Sequence, residues 1–263
     1  FGGESSEHDV SIASARNVYA AMDGSKYDIQ LCYIDRAGKW WLLDSWKENL
    51  DRHGGLQLLA APGTKSFMSV PGNAILHPDV ILPILHGKNG EDGTVQGLAE
   101  LLHIPIVGCD NTASAICMDK ILTKYVLEAE GIKTAPFIIH RRGDRLPIYG
   151  EVSQTLGETM FVKPARSGSS VGVSKVYTEQ DFEPALRLAL KEDPVILIER
   201  AISGRELETA VLGNAPHHRV SGIGEIIPGE EFYDYEDKYS PESKAQVLTN
   251  VELPQEVEER IRA

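Results

Sequence analysis

Cysteine is scarce in these 263 residues, and Cys32, Cys109 and Cys117 form an odd set without metal-type spacing. That argues against a disulfide framework or a zinc site and for a reducing, cytoplasmic setting. Apolar runs of the ~20 residues that span a bilayer are missing, as is a basic-then-apolar signal segment, so no membrane association is expected. Positive charge is the scarcer sign, with 26 Lys and Arg against 39 Asp and Glu and a formal net charge of -13. This balance opposes the broad positive field that nucleic acid requires. An anionic ligand must instead be held by a local cluster of Lys, Arg and backbone N–H groups. Repeats and low-complexity tracts are absent too. A content of 42% hydrophobic and 25% charged residues is that of a globular protein, long enough for one large domain or two to three small ones. The chain opens at Phe1-Gly2-Gly3 without Met and stops at Ala263 inside an amphipathic pattern, so both ends read as cut.

Residues 11–22 place Ile12, Ala15, Val18, Tyr19 and Met22 near one helical face directly after the glycine turn. Tyr27–Ile34 alternates as a strand, and Val80–Leu85 is apolar throughout, as expected of a parallel strand covered on both faces. The first third thus reads as a doubly wound α/β domain. Residues 47–75, rich in Gly and Pro, read as a surface insertion. Met118, Ile121, Leu122, Tyr125, Val126 and Ala129 then form an amphipathic stripe stopped by Gly131, with Lys120 and Lys124 off it. Strands follow at Thr134–His140 and Glu158–Ala165, a helix near 179–191, and strands at Val195–Glu199 and Arg205–Leu212. Glu206 and Glu208 should share one face of the last.

Four segments carry candidate chemistry. Phe161–Lys175 places Lys163 at a strand end before a loop containing Gly168, Ser169, Ser170 and Val171, which offers one cation and several open N–H groups to a polyphosphate. A simple hairpin turn is the plainer alternative. His86-Gly87-Lys88-Asn89-Gly90-Glu91-Asp92-Gly93 follows the apolar strand, where ligands of open α/β sheets sit; a structural histidine among turns is the other reading. Glu7, beside the opening glycine turn, either caps a first helical turn or holds a substrate ammonium. Glu230–Ser240, with three tyrosines, is either a lid that excludes water or a surface loop.

In this order, Gly-Gly-x-Ser-x-Glu-His-Asp-Val-Ser, His-Gly-x-x-Gly-Glu-Asp-Gly, Met-Asp-Lys, Val-Lys-Pro-x-x-x-Gly-Ser-Ser-Val-Gly and Phe-Tyr-Asp-Tyr-Glu-x-Lys-Tyr resemble the D-alanine–D-alanine ligase family across essentially the whole chain. The resemblance implies an ATP-grasp enzyme that converts one D-alanine to an acylphosphate and joins it to the amine of a second, for peptidoglycan synthesis. It implies an α/β fold: a substrate-binding domain over 1–108, a central ATP-grasp subdomain over 109–198 and an incomplete C-terminal one over 199–263. Lys120 and Lys163 match positions that hold ATP phosphates, with Gly168, Ser169, Ser170 and Val171 in the phosphate loop. Glu199, Ala201, Ile202 and Glu206 match those for adenine and ribose. Glu7 resembles the carboxylate that orders the first D-alanine's ammonium, linked through Ser169 to Tyr239, with His86 near that substrate and Lys238 on the transferred phosphate. Mg²⁺ or Mn²⁺ is implied, but the family's metal carboxylates, ligating asparagine and oxyanion arginine belong to a stretch beyond Ala263. A chain ending there is therefore expected to turn over little by itself. The family's habit also implies a homodimer.

Three rivals remain in view. A D-alanine–D-lactate ligase shares most motifs, but Tyr239 favours the dipeptide. Another carboxylate–amine ATP-grasp ligase is disfavoured by Glu7, Ser169 and Tyr239 together. A nucleotide-binding module without turnover is separated from both by D-alanine-dependent ADP release.

Overall fold

The computed structural model describes residues 1–50, 54–229, 244–249 and 251–263. The chain forms two units, Phe1–Thr134 with Ala165–Gly168, and Ala135–Pro164 with Ser169–Ala263.

The first unit carries helix α1 (His8–Ala21), strands β1 (Leu31–Ile34), β2 (Trp40–Leu43), β3 (Leu56–Ala61), β4 (Ser66–Val70) and β5 (Ile75–Leu76), and helices α2 (Thr94–Leu102), α3 (Asn111–Met118) and α4 (Lys120–Ala129). The strands form one antiparallel sheet in chain order. Alternation along β1 divides its side chains between two layers. Leu31 and Tyr33 pack with Leu43, Ile12 of α1 and Trp46, whereas Cys32 lies with Trp40, Leu58, Phe67 and Leu102 of α2. A helix therefore seals each face, and each fully buried Leu or Phe contributes about 1.5–3 kcal/mol.

The α/β class is thus as the sequence predicts, with three local differences. Residues 47–75, expected as a surface insertion, supply β3 and β4, paired from Gln57–Val70 to Ala61–Ser66. Their alternating Leu58 and Phe67 point into the core while Leu59 and Met68 face out. Parallel pairing is confined, among the described residues, to two bridges, Gly2 with Ile34 and Ile81 with Ile106. Within Val80–Leu85, Pro83 has no N–H to extend a ladder, and Val80 and Leu82 are exposed. Helix α4 is also rotated from its expected stripe: Ile121 and Lys124 are buried, and Leu122, Tyr125 and Val126 are exposed. The cause is at its first turn, where the Lys120 N–H donates to Ala165 O at 3.0 Å and Lys120 Nζ donates to Ser167 O at 2.7 Å. These bonds turn the 120–124 face inward. Asp119 caps the same turn, accepting from Ile121 N and Leu122 N.

The second unit contains β6 (Phe137–Arg141), α5 (Tyr149–Leu156), β7 (Met160–Pro164), β8 (Ser174–Val176), α6 (Glu179–Glu192), β9 (Val195–Arg200), β10 (Glu206–Glu208), β11 (Val211–Leu212), β12 (Arg219–Val220), β13 (Gly224–Ile227), β14 (Gln246–Leu248) and α7 (Gln255–Arg262). Its main sheet runs β6-β9-β7-β8, antiparallel throughout. Met160, Val162, Ile196 and Ile198 face α5 and α6 in one closed core. Truncating one of them to Ala would cost about 2–5 kcal/mol. The same alternation delivers Phe161, Lys163 and Glu199 to the opposite face. The segment expected as one strand over 205–212 is split into β10 and β11, each paired with a different partner strand.

Candidate active site

In the first unit, the glycine turn and the segment leading to His86 are stitched together by serines. Gly2 N donates to Ser11 Oγ at 2.8 Å, the Ser11 hydroxyl donates to Ile84 O, and Ser5 Oγ donates to His86 O at 2.7 Å. His8, fully buried, lies 2.5 Å from Gly3 O through Nδ1 and 3.3 Å from the Tyr33 hydroxyl through Nε2. This fixes the residue before it: Glu7 is 3% exposed. Its carboxylate is approached by two glycines. A Cβ on Gly168 would stand 3.1 and 3.2 Å from its two oxygens, and one on Gly87, whose φ is +69°, would overlap Oε2. Glycine at both positions lets the backbone close around a buried carboxylate.

His86 is oriented from two sides. Nε2 lies 3.1 Å from Ser14 Oγ of α1, and Nδ1 lies 4.0 Å from Glu91. Glu91 holds the imidazole above its ordinary pKa, against the opposing effect of burial and with a smaller contribution from Glu7. At 4.0 Å the interaction is an ion pair, too long for a hydrogen bond. Reciprocally His86, aided by the Gly87 N–H donated to Glu91 at 2.7 Å, holds the Glu91 carboxyl below its usual range.

In the second unit, strand register builds one wall of a cleft. Phe161 is opposite Lys175 on one side and Glu199 on the other. Lys163 reaches diagonally to Glu199 at 2.8 Å and lies 5.1 Å from the centre of the Phe161 ring. The cleft, about 670 Å³, is lined by Phe161, Lys175, Tyr177, Ala201, Ile202, Glu206 and neighbours. Arg205 and Glu225 close part of its wall with two bonds of 2.7 Å. At the start of the phosphate-type loop, Ser169 and Ser170 both have left-handed φ, 47° and 59°. Consecutive non-glycine residues in that region cost about 1–3 kcal/mol each and persist where surroundings impose them.

The sequence-predicted residues therefore gather in two places. Glu7, His86, Lys120 and Gly168 belong to the first unit; Lys163, Ser169, Ser170, Val171, Glu199, Ala201, Ile202 and Glu206 belong to the second. Lys238 and Tyr239 lie outside the described residues. Sequence reasoning missed Ser14 beside His86 and Phe161, Lys175 and Tyr177 in the cleft. Ser11 and Ser14, three apart on α1, were a readable signal, because that spacing places both on one helix face. Among the described residues no three His, Cys, Asp or Glu side chains gather to hold a metal ion, and no helix is long and apolar enough to cross a membrane.

Family models fit both halves of this arrangement. The model for the D-ala D-ala ligase N-terminus matches residues 1–109, and that for the D-ala D-ala ligase C-terminus matches residues 126–263. The chain belongs to the D-alanine–D-alanine ligase family. It is 41% identical to D-alanine–D-alanine ligase A of Salmonella typhimurium, over 100% of this chain and 76% of that protein. Among solved structures it resembles the VanG D-Ala:D-Ser ligase of Enterococcus faecalis, with a TM-score of 0.84 and 34% identity over 99% of this chain and 78% of the other. It also resembles a D-alanine–D-alanine ligase of Bacillus anthracis solved with ATP, with a TM-score of 0.67 and 29% identity over 99% and 72% of the two chains. As a member of this ligase family, the chain is an enzyme with the family's ATP-grasp fold.

Proposed function

We infer that the protein uses ATP to join two D-alanines into D-alanyl-D-alanine for peptidoglycan synthesis. The observation that carries this reading is the buried Glu7 carboxylate, enclosed by Gly87 and Gly168 and accompanied by His86, in a chain matched along its length by the ligase family. A buried carboxylate suits an ammonium, since charge-assisted hydrogen bonds strengthen where water is excluded. Glu7 then fixes the amine of the first D-alanine, and His86 stands beside it. The γ-phosphoryl group of ATP passes to the carboxylate oxygen of that D-alanine, leaving ADP. The amine of the second D-alanine, having lost a proton, attacks the acyl carbon, and phosphate leaves as the C–N bond forms.

Lys120, Lys163 and Lys238 serve the phosphates, with Gly168, Ser169, Ser170 and Val171 presenting the loop. Glu199, Ala201, Ile202 and Glu206 hold adenine and ribose, a role supported by the cleft that Ala201, Ile202 and Glu206 line. The Lys163–Glu199 pair keeps both side chains on the cleft face of the sheet. Tyr239 covers the site through Ser169. The strained Ser169-Ser170 backbone fits a loop shaped for a ligand rather than for its own stability. Mg²⁺ or Mn²⁺ is the family's expected ion; the described side chains do not gather to bind one. Division into 1–108, 109–198 and 199–263, a homodimer and a cytoplasmic location complete the reading. In the intact protein with MgATP, D-alanine should stimulate ADP release and L-alanine should leave it nearly silent. Equal stimulation by the two enantiomers would remove the proposal.

A further inference from the structure

Serine inside a helix usually turns its hydroxyl back to a carbonyl one turn earlier or out to water. Ser14 instead meets a residue 72 positions away, with Oγ 3.1 Å from His86 Nε2. On the other edge of the same ring Glu91 stands 4.0 Å from Nδ1, and Glu91 is itself held by the Gly87 N–H at 2.7 Å. The His86 carbonyl is fixed by Ser5. Backbone and both ring nitrogens of one half-buried histidine are thus constrained by α1, the turn before it and the turn before α2.

We propose that Ser14 is a positioning residue for the ligase reaction, holding His86 in the one ring orientation that faces the first D-alanine beside Glu7. This rests on the D-alanine reading above. The chemistry of the contact suits that task in either charge state. A neutral ring carrying its proton on Nδ1, toward Glu91, accepts the Ser14 O–H at Nε2. An imidazolium donates Nε2–H to Ser14 Oγ, and the hydroxyl proton turns elsewhere. The hydroxyl reverses its role without movement of the ring, whereas a methyl group would leave Nε2 to seek another partner by rotating. The acidic groups acting on His86 are Glu91 from the turn before α2 and Glu7 from the turn before α1, and both favour the cation. A zwitterionic amino acid would meet the buried Glu7 side chain and the His86 ring held at fixed points.

The test compares Ser14→Ala and Ser14→Thr in the intact protein. Alanine is a better helix former than serine, so α1 is retained, which circular dichroism verifies. With [13Cε1]-histidine labelling, and His86→Gln used only to assign the resonance, the His86 titration midpoint in Ser14→Ala should fall by about half a pH unit or more, because the bond to the charged ring is the stronger one. The D-alanine KM for the first site should rise about three- to ten-fold with kcat changed less than about twofold, the pattern of a lost binding contact. Ser14→Thr, which keeps the γ-hydroxyl, should restore both. An unchanged His86 midpoint in Ser14→Ala, or a threonine variant no better than alanine, would overturn the assignment. Should the wild-type protein release no ADP in response to D-alanine, the functional reading falls, and the proposed role in that reaction falls with it. The midpoint then still decides whether Ser14 sets the state of His86.

Discussion

Replacing Gly168 by alanine isolates the placement of the Glu7 carboxylate from the stability of the fold. The added Cβ would lie 3.1 and 3.2 Å from the two carboxylate oxygens, closer than ordinary contact, so a side chain only 3% exposed must shift by a few tenths of an ångström. The backbone at 168 is not left-handed, so no conformational strain is added, and alanine removes about 0.4–1 kcal/mol of unfolded-state entropy. Stability should therefore change little. A charge-assisted hydrogen bond contributes about 1.5–3 kcal/mol, and losing about half of one raises the D-alanine KM roughly five-fold, at 1.4 kcal/mol per factor of ten. Gly87→Ala is the contrasting variant. There φ is +69° and the Cβ overlaps Glu7 Oε2, so left-handed strain of about 1–2 kcal/mol adds to overpacking of about 1–3 kcal/mol. Its melting temperature should fall by about 5–15 °C. ADP release measured across D-alanine concentrations, together with thermal melts of both variants, provides the assay. A folded Gly168→Ala protein with the wild-type KM would detach Glu7 from the substrate amine, and a Gly87→Ala protein melting like wild type would refute the close approach.

Lys163→Ala removes the cation paired with Glu199 on the cleft face of the sheet, and calorimetry should show ATP affinity weakened by about ten- to a hundred-fold; unchanged affinity would separate Lys163 from the nucleotide. Glu91→Gln should lose stability within a bounded pH window. The raised His86 contributes stability fully present below its ordinary value of 6.5 and lost as pH rises through its folded pKa. The lowered Glu91 contributes stability present above 4.5 and lost as pH falls through its folded pKa. The difference between wild-type and variant melts should thus be largest between those limits and, with Glu91 half exposed, stay under about 1 kcal/mol; a difference persisting unchanged at high pH would dismiss the ion pair. For Tyr239→Phe, supplying D-alanine and D-lactate together should raise the depsipeptide-to-dipeptide ratio several-fold, as expected for a lost hydrogen bond of about 0.5–1.5 kcal/mol; an unaltered ratio would end the acceptor-gating role.

Much of the site was legible because its chemistry is local. Lys163 followed by a Gly-Ser loop and Glu7 after a glycine turn are contiguous patterns, and five such motifs in order identify the family. The strands expected at Glu158–Ala165 and Val195–Glu199 and the helix expected near 179–191 appear as β7, β9 and α6 within a few residues of those bounds. Elements that depend on partners were harder. The hairpin of β3 and β4 lies among Gly and Pro, and its alternation gains meaning only once α2 covers Leu58 and Phe67. Helix α4 has a clear apolar stripe that its own sequence turns inward. Two bonds from Lys120 to the 165–168 segment instead turn the 120–124 face inward, so that Ile121 is buried while Leu122, Tyr125 and Val126 of the stripe are exposed.

By itself the sequence determined the α/β class, the family and the identities of the charged groups, since these reside in composition, periodicity and short motifs along the chain. Only the tertiary structure decided which partners those groups meet. Ser14 reaches His86 across 72 residues, Lys163 reaches Glu199 across 36, and Gly87 and Gly168 converge on Glu7 from segments far apart in the chain. Hydrogen bonds and ion pairs act over a few ångströms, and at such sequence separations those distances are set by the packing of sheets and helices rather than by residue spacing.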